Sequence, residues 1–163
     1  MAIKKSMSAA VAIEKLEAQC SMSEYCSSEV MHKLYRWGVP SADRAGILAH
    51  LVEARFVDDS RYARAYVRDK ATFGKWGRRK ILLGLMSKRI PRDVADEAME
   101  EIDEERYFEN LCSIVKAKLR SVKAETEYEL KTKLYQRGLQ SGYESELVGR
   151  AVKQILKDHL SAE

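Results

Sequence analysis

The chain has 163 residues, of which 45% are hydrophobic and 33% charged, with a formal net charge of +4. That is enough apolar material for one or two compact domains, while no apolar run approaches the ~18–20 residues needed to cross a bilayer. The start, MAIKKSMS, carries charge with no apolar segment behind it and is not read as a secretory signal.

Two prolines and eight glycines among abundant Leu, Ala, Glu, Lys and Arg favour helix throughout. Ser8 to Gln19 reads as a short amphipathic helix with Val11 and Leu16. Ser21-Met22-Ser23-Glu24 has the form of a capping box for a second helix, which runs to about Trp37 and stops at Gly38. Val39-Pro40 turns the chain, and Ser41 starts a third helix with Ile47, Leu48 and Leu51 inward, ending near Arg55. A second trio spans about Asp59 to Thr72, Arg78 to Lys88 and Arg92 to Glu101, with Ile81, Leu82, Leu85, Val94, Ala98 and Ile102 as core. A third runs from Asp103 to about Lys118, then Glu125 to Arg137 and Tyr143 to Lys157.

These trios repeat. Leu34-Tyr35-Arg36-Trp37-Gly38-Val39, Leu85-Met86-Ser87-Lys88-Arg89-Ile90 and Leu134-Tyr135-Gln136-Arg137-Gly138-Leu139 align, with Val30, Ile81 and Leu130 upstream and Ile47, Ala98 and Leu147 downstream. A period near fifty with three helices per unit predicts an all-α fold of three tandem three-helix modules, packed on one another as an elongated, curved array. The boundaries expected are 1–57, 58–102 and 103–163.

Charge follows the same division. Residues 1–58 balance seven basic against seven acidic side chains, residues 59–92 carry eleven against two, and residues 93–163 eleven against sixteen. A basic centre beside an acidic flank points to a polyanionic partner for the middle of the molecule. Its first element is FVDDSRYARAYVRDK, Phe56 to Lys70. Asp58 or Asp59 reads as an N-cap behind a Phe56-Val57 staple. Tyr62, Ala63, Tyr66 and Val67 make the buried stripe, and Arg61, Arg64 and Arg68 share one flank. Capping is preferred to a metal or acid–base role for the aspartates, because the acidic start recurs before Arg106-Tyr107 and no third ligand sits at metal spacing.

The turn Phe73-Gly74-Lys75-Trp76-Gly77 places Trp76 among cations, where it either packs on the next helix or touches a partner. Arg78, Arg79 and Lys80 open the following helix against its dipole. That placement is either a solvated cluster or a site where cations and free N–H groups meet an anion together. With the glycine turn folding back, Lys75, Arg78, Arg79 and Lys80 are expected beside Arg61, Arg64 and Arg68 as one positive strip. Charge reversal of Arg64, Arg68, Arg78 and Arg79 is expected to leave the fold intact. Three cysteines and three scattered histidines offer no metal spacing and no nucleophile signature, so reduced thiols, no metal, no cofactor and no catalysis are expected.

FVDDSRYARAYVRDK, followed by Gly74, Gly77, Arg78-Arg79-Lys80-Ile81 and Leu85, resembles the central signature of the RecX family, regulators of the RecA recombinase. Arg89 departs from it, standing where the family usually has a helix-ending glycine. The resemblance implies an elongated helical protein, expected to be a monomer without enzymatic activity, and the reduced thiols fit a cytoplasmic setting. It would lie in the groove of a RecA filament on single-stranded DNA and limit filament growth or promote disassembly. Its partner-binding residues would be Arg61, Arg64, Arg68, Lys75, Trp76, Arg78, Arg79 and Lys80. The competing reading is a free-standing DNA-binding protein acting without RecA, through single- or double-stranded DNA at the basic centre. Against it, Arg92 to Glu101 would have to read bases and is acidic.

Overall fold

Apolar side chains three and four residues apart turn each segment into a helix with one face to bury. In a computed structural model describing residues 6–163, these faces close into three-helix units; the charged start at residues 1–5 lies outside the described residues. Among the described residues there are nine α-helices and no strand: α1 Ala9–Met22, α2 Ser27–Arg36, α3 Ser41–Glu53, α4 Asp59–Thr72, α5 Arg78–Ser87, α6 Arg92–Ala98, α7 Glu104–Ser121, α8 Glu127–Gln140 and α9 Ser145–Ser161. A 3-10 turn, Met99–Glu101, extends α6.

The helices bury two separate cores. Ala12, Leu16, Val30, Leu34, Ile47, Leu51 and Val57 close α1–α3 on themselves. Val67, Ile81, Leu85, Tyr107, Leu111, Leu134, Tyr143 and Val148 form one continuous core through α4–α9. The first unit therefore folds around its own interior, whereas the second and third share theirs. With 10682 Å2 of accessible surface, the 18.6 kDa chain exceeds the ~8200 Å2 of a compact monomer of that mass, as an extended array should.

Each unit's second helix ends in the same way. Gly38 and Arg89 turn left-handed at φ 70° and 57°. The next residue's N–H reaches back, Val39 to the Leu34 carbonyl and Ile90 to that of Leu85, both at 3.1 Å. Arg89 thus adopts the glycine conformation without being glycine. The third unit differs from its sequence alignment. α8 runs through Gly138, and the left-handed residue is Gly142 at φ 92°, with Tyr143 donating to the Gly138 carbonyl at 3.3 Å. The cap comes one helical turn late, so Tyr143 and Leu134, not Leu139 and Leu130, take the buried places of Ile90 and Ile81. Gly138 serves packing instead: a Cβ there would stand 2.7 Å from Val148.

Two further expectations change. Ser21 and Met22 belong to α1, and the capping box is built by Cys26 and Glu29, whose carboxylate accepts from the Cys26 N–H at 3.2 Å. Val57 joins the first core rather than stapling α4.

Leu85 is fully buried in the shared core, so Leu85→Ala should cost ~2–5 kcal/mol in urea unfolding. A change within ±0.5 kcal/mol would mean that this position is not core. Arg89→Gly should relieve the left-handed strain and raise stability by ~0.5–1 kcal/mol after glycine's chain-entropy cost. A loss of stability would contradict that conformation.

Candidate functional site

The basic centre is held between its neighbours at the starts of helices, where amide N–H groups have no partner within the helix. Asp58 accepts from the Arg61 N–H at 2.9 Å and so caps α4. Asp59 accepts from the Ser27 N–H at 2.7 Å, capping α2 in the unit before. The acidic pair is thus divided between two helix starts. Around it, Arg61 Nε meets Glu24 at 2.7 Å and Lys88 meets Glu29 at 3.5 Å. The Ser28 hydroxyl donates to the Lys88 carbonyl at 2.6 Å. The joint between the first and second units is therefore largely polar.

The start of α5 is closed off more thoroughly. The Gly77 N–H donates to the Ser141 carbonyl at 2.7 Å and the Arg79 N–H to that of Gly142 at 3.0 Å. Between them the Arg78 N–H donates to the Tyr107 hydroxyl at 2.9 Å, which itself donates to Glu144 at 2.9 Å. Backbone meets backbone so closely that a Cβ on Gly77 would stand 2.1 Å from Gly142. The Arg78 guanidinium pairs with Glu104 and Glu144 and lies 4.3 Å from the Tyr107 ring centre. Burial works against its charge, but Tyr107, Glu104 and Glu144 more than offset that and hold its pKa above the ordinary arginine value. Burial likewise pushes the Tyr107 and Tyr143 phenols well up, so both stay neutral.

Of the two readings open for the first cations of α5, Arg78 meets an anion and that anion is internal, whereas Arg79 and Lys80 have no carboxylate partner among the described residues. At 26% side-chain exposure Arg78 is a structural residue of the joint. The expectation that its reversal spares the fold is corrected, since lying off the α4 stripe says nothing about α7 and α9.

The remaining cations form two groups rather than one strip. Arg61, Arg64 and Arg68 do share the side of α4 away from its buried stripe. There Arg64 reaches the Ser60 hydroxyl at 2.7 Å and Arg68 meets Glu101 at 3.3 Å. The second group gathers at Trp76, across α4 beside Tyr66. Lys70 and Lys80 stand 4.9 and 4.3 Å from the Trp76 ring centre, and Tyr66 meets it edge-on at 6.4 Å. Trp76 is half-buried against the core, so it packs while carrying cations on its ring. Lys75 turns to Ser113 on α7 at 3.0 Å. Arg79 is exposed, with no side-chain partner among the described residues. Sequence reasoning missed Lys70, whose register on the Tyr66 side of α4 was the available signal.

Burial raises the pKa of all three cysteine thiols, disfavouring the reactive thiolate. No group of His, Cys, Asp and Glu among the described residues could hold a metal ion. No helix there is long and apolar enough to cross a membrane.

Three-helix units stacked through capped helix ends, with cations displayed on the middle one, define an all-α repeat protein. Residues 58–99 match the family model described as RecX, second three-helix domain. Regulatory protein RecX of Clostridium botulinum strain Eklund 17B is 30% identical over 134 residues, 81% of this chain and 62% of that protein. Its counterpart in strain Alaska E43 is 34% identical over 109 residues, 65% of this chain and 50% of the relative. The crystal structure of RecX from Lactobacillus salivarius superimposes with a TM-score of 0.76 at 19% identity, covering 90% of this chain and 97% of that one. A second crystal structure of regulatory protein RecX gives 0.77 at 23%, covering 92% and 73%. These matches all point to the RecX family. The chain spans about half to three-fifths of the length of these curated relatives.

Arg78→Glu should lower unfolding free energy by ~1–3 kcal/mol, because it sets like charges against Glu104 and Glu144 in a partly buried joint. Arg79→Glu, on the exposed side, should stay within about ±0.5 kcal/mol. Equal effects of the two in chemical denaturation would contradict this division.

Proposed function

We propose that this protein is a cytoplasmic, non-enzymatic regulator that binds the RecA filament on single-stranded DNA and inhibits RecA ATPase and strand exchange. The observation that carries the reading is the match to a family of regulatory proteins combined with the excess positive charge of residues 59–92. The internal pairing of Arg78 narrows the contact surface. Arg64 and Arg68 on α4, with Lys70, Trp76, Arg79 and Lys80 around the turn, are the groups left to meet filament phosphates or acidic protein surface. Such a surface acts through counterion release, so binding should weaken steeply with salt. The acidic α6, with Asp93, Asp96 and Glu97, disfavours reading of duplex bases by that helix.

The test adds the protein to RecA assembled on single-stranded DNA and follows ATP hydrolysis and filament binding over a salt series. The reading expects ATP hydrolysis to fall as the protein binds the filament. Joint replacement of Arg64, Arg68, Arg79 and Lys80 by Glu, sparing Arg78, should weaken filament binding at least tenfold and flatten the salt slope. Undiminished filament binding by that variant, if folded, would move the surface to another unit. Binding to naked DNA with none to the filament would overturn the regulatory reading.

A further inference from the structure

The two internal joints follow one pattern. A helix with an acidic first turn lies at the start of the preceding unit's second helix. At the first joint Asp59 of α4 takes the Ser27 N–H. At the second, Glu104 of α7 pairs with Arg78, whose own N–H donates to Tyr107. The matched caps at Arg89 and Gly142 set the third unit's register and place Lys131 of α8 where Arg78 stands on α5.

At Lys131 nothing among the described residues lies across the helix. The place is an open groove of about 880 Å3 between the first half of α8 and the last half of α9, floored by Tyr135, Val152, Leu156 and Leu160. Leu160 is 69% exposed, and Tyr128, 82% exposed, falls on the α8 stripe of Lys131, Thr132 and Tyr135. A cation-rimmed apolar patch of this kind marks a contact surface.

The charge on the rim selects the occupant. Lys153 and Lys157 have no carboxylate partner among the described residues, and Lys131 is held only by the exposed Glu127 at 3.0 Å. A second copy is a poor fit. Its groove carries the same lysines, and the acidic starts of its α4 and α7 are already engaged in its own joints. We propose that the α8–α9 groove docks an amphipathic helix of a partner protein whose first turn is acidic, held as α4 and α7 are held within the chain. The incoming carboxylates meet Lys131, Lys153 and Lys157, and the apolar residues behind them cover Tyr135, Leu156 and Leu160. This inference is independent of which partner the basic centre meets.

The chain's own α7 supplies the probe: a synthetic peptide with the sequence of residues 102–121, titrated into the full chain while methyl NMR signals are followed. Saturable shifts are expected at the Val152, Leu156 and Leu160 methyls. Replacing Lys131, Lys153 and Lys157 by Glu should weaken binding at least tenfold, as should a peptide with Lys in place of Asp103, Glu104 and Glu105. The exposed-site variant Leu160→Lys should give the same loss if the triple variant does not fold. Unmoved groove methyls, shifts confined to the Arg78–Tyr107 joint, affinity unchanged by the charge reversals, or self-association of the chain through this face would each overturn the proposal.

Discussion

A helix beginning on Arg-Arg-Lys has its dipole against it and unpartnered amide groups at its end. In this protein the next unit removes both problems. The Ser141 and Gly142 carbonyls and the Tyr107 hydroxyl take the first three N–H groups offered there. Glu104 and Glu144 neutralise the first cation. Such an approach tolerates no side chain at Gly77 or Gly142, where an added Cβ would stand 2.1 Å or 2.5 Å from the facing chain. The rest of the second and third units is arranged around this contact. The shared core, the buried Tyr107–Tyr143 pair at 4.7 Å and the late cap of α8 all lie next to it.

The joint between the first and second units is of another kind. The two cores stay separate there, and the bonds are ion pairs and side-chain caps, with Cys26 the one first-unit residue in the larger core among the described residues. Partly exposed ion pairs contribute little each, so the first unit is held to the others less firmly than those are to each other. For a protein read as lying along a filament, this gives a rigid block of two units carrying the displayed cations, with a third attached through a polar seam.

How much of this the sequence showed depended on the range of the interaction. α4 was legible to its bounds, because the aspartate cap, the Tyr62–Val67 stripe and the glycine turn are all local signals. The first capping box was misplaced for a local reason too. Ser21 to Glu24 fits the pattern but closes α1, with Ser21 and Met22 its last residues and Ser23 its C-cap, while the working cap uses a cysteine at Cys26, which the usual Ser/Thr/Asp/Asn preference conceals. Gly138 looked like a terminator because Gly38 is one; only the facing Val148 reveals a packing glycine. The fate of Arg78 was out of reach, since Glu104 and Glu144 lie 26 and 66 residues away. The basic centre was visible as a sum, but the sum did not distinguish cations that hold the molecule together from cations shown to a partner.

Native-state hydrogen exchange at the helix starts addresses the central claim most directly. Amides in a first helical turn ordinarily exchange freely. If the second and third units are fused as described, the Gly77, Arg78 and Arg79 amides will exchange as slowly as those of Leu85 and Leu111 in the shared core, opening only when the whole block unfolds. The Ser27 amide, capped across the polar seam, will exchange faster than they do. Exchange of Gly77 to Arg79 near free-peptide rates, with the core still protected, would contradict the account.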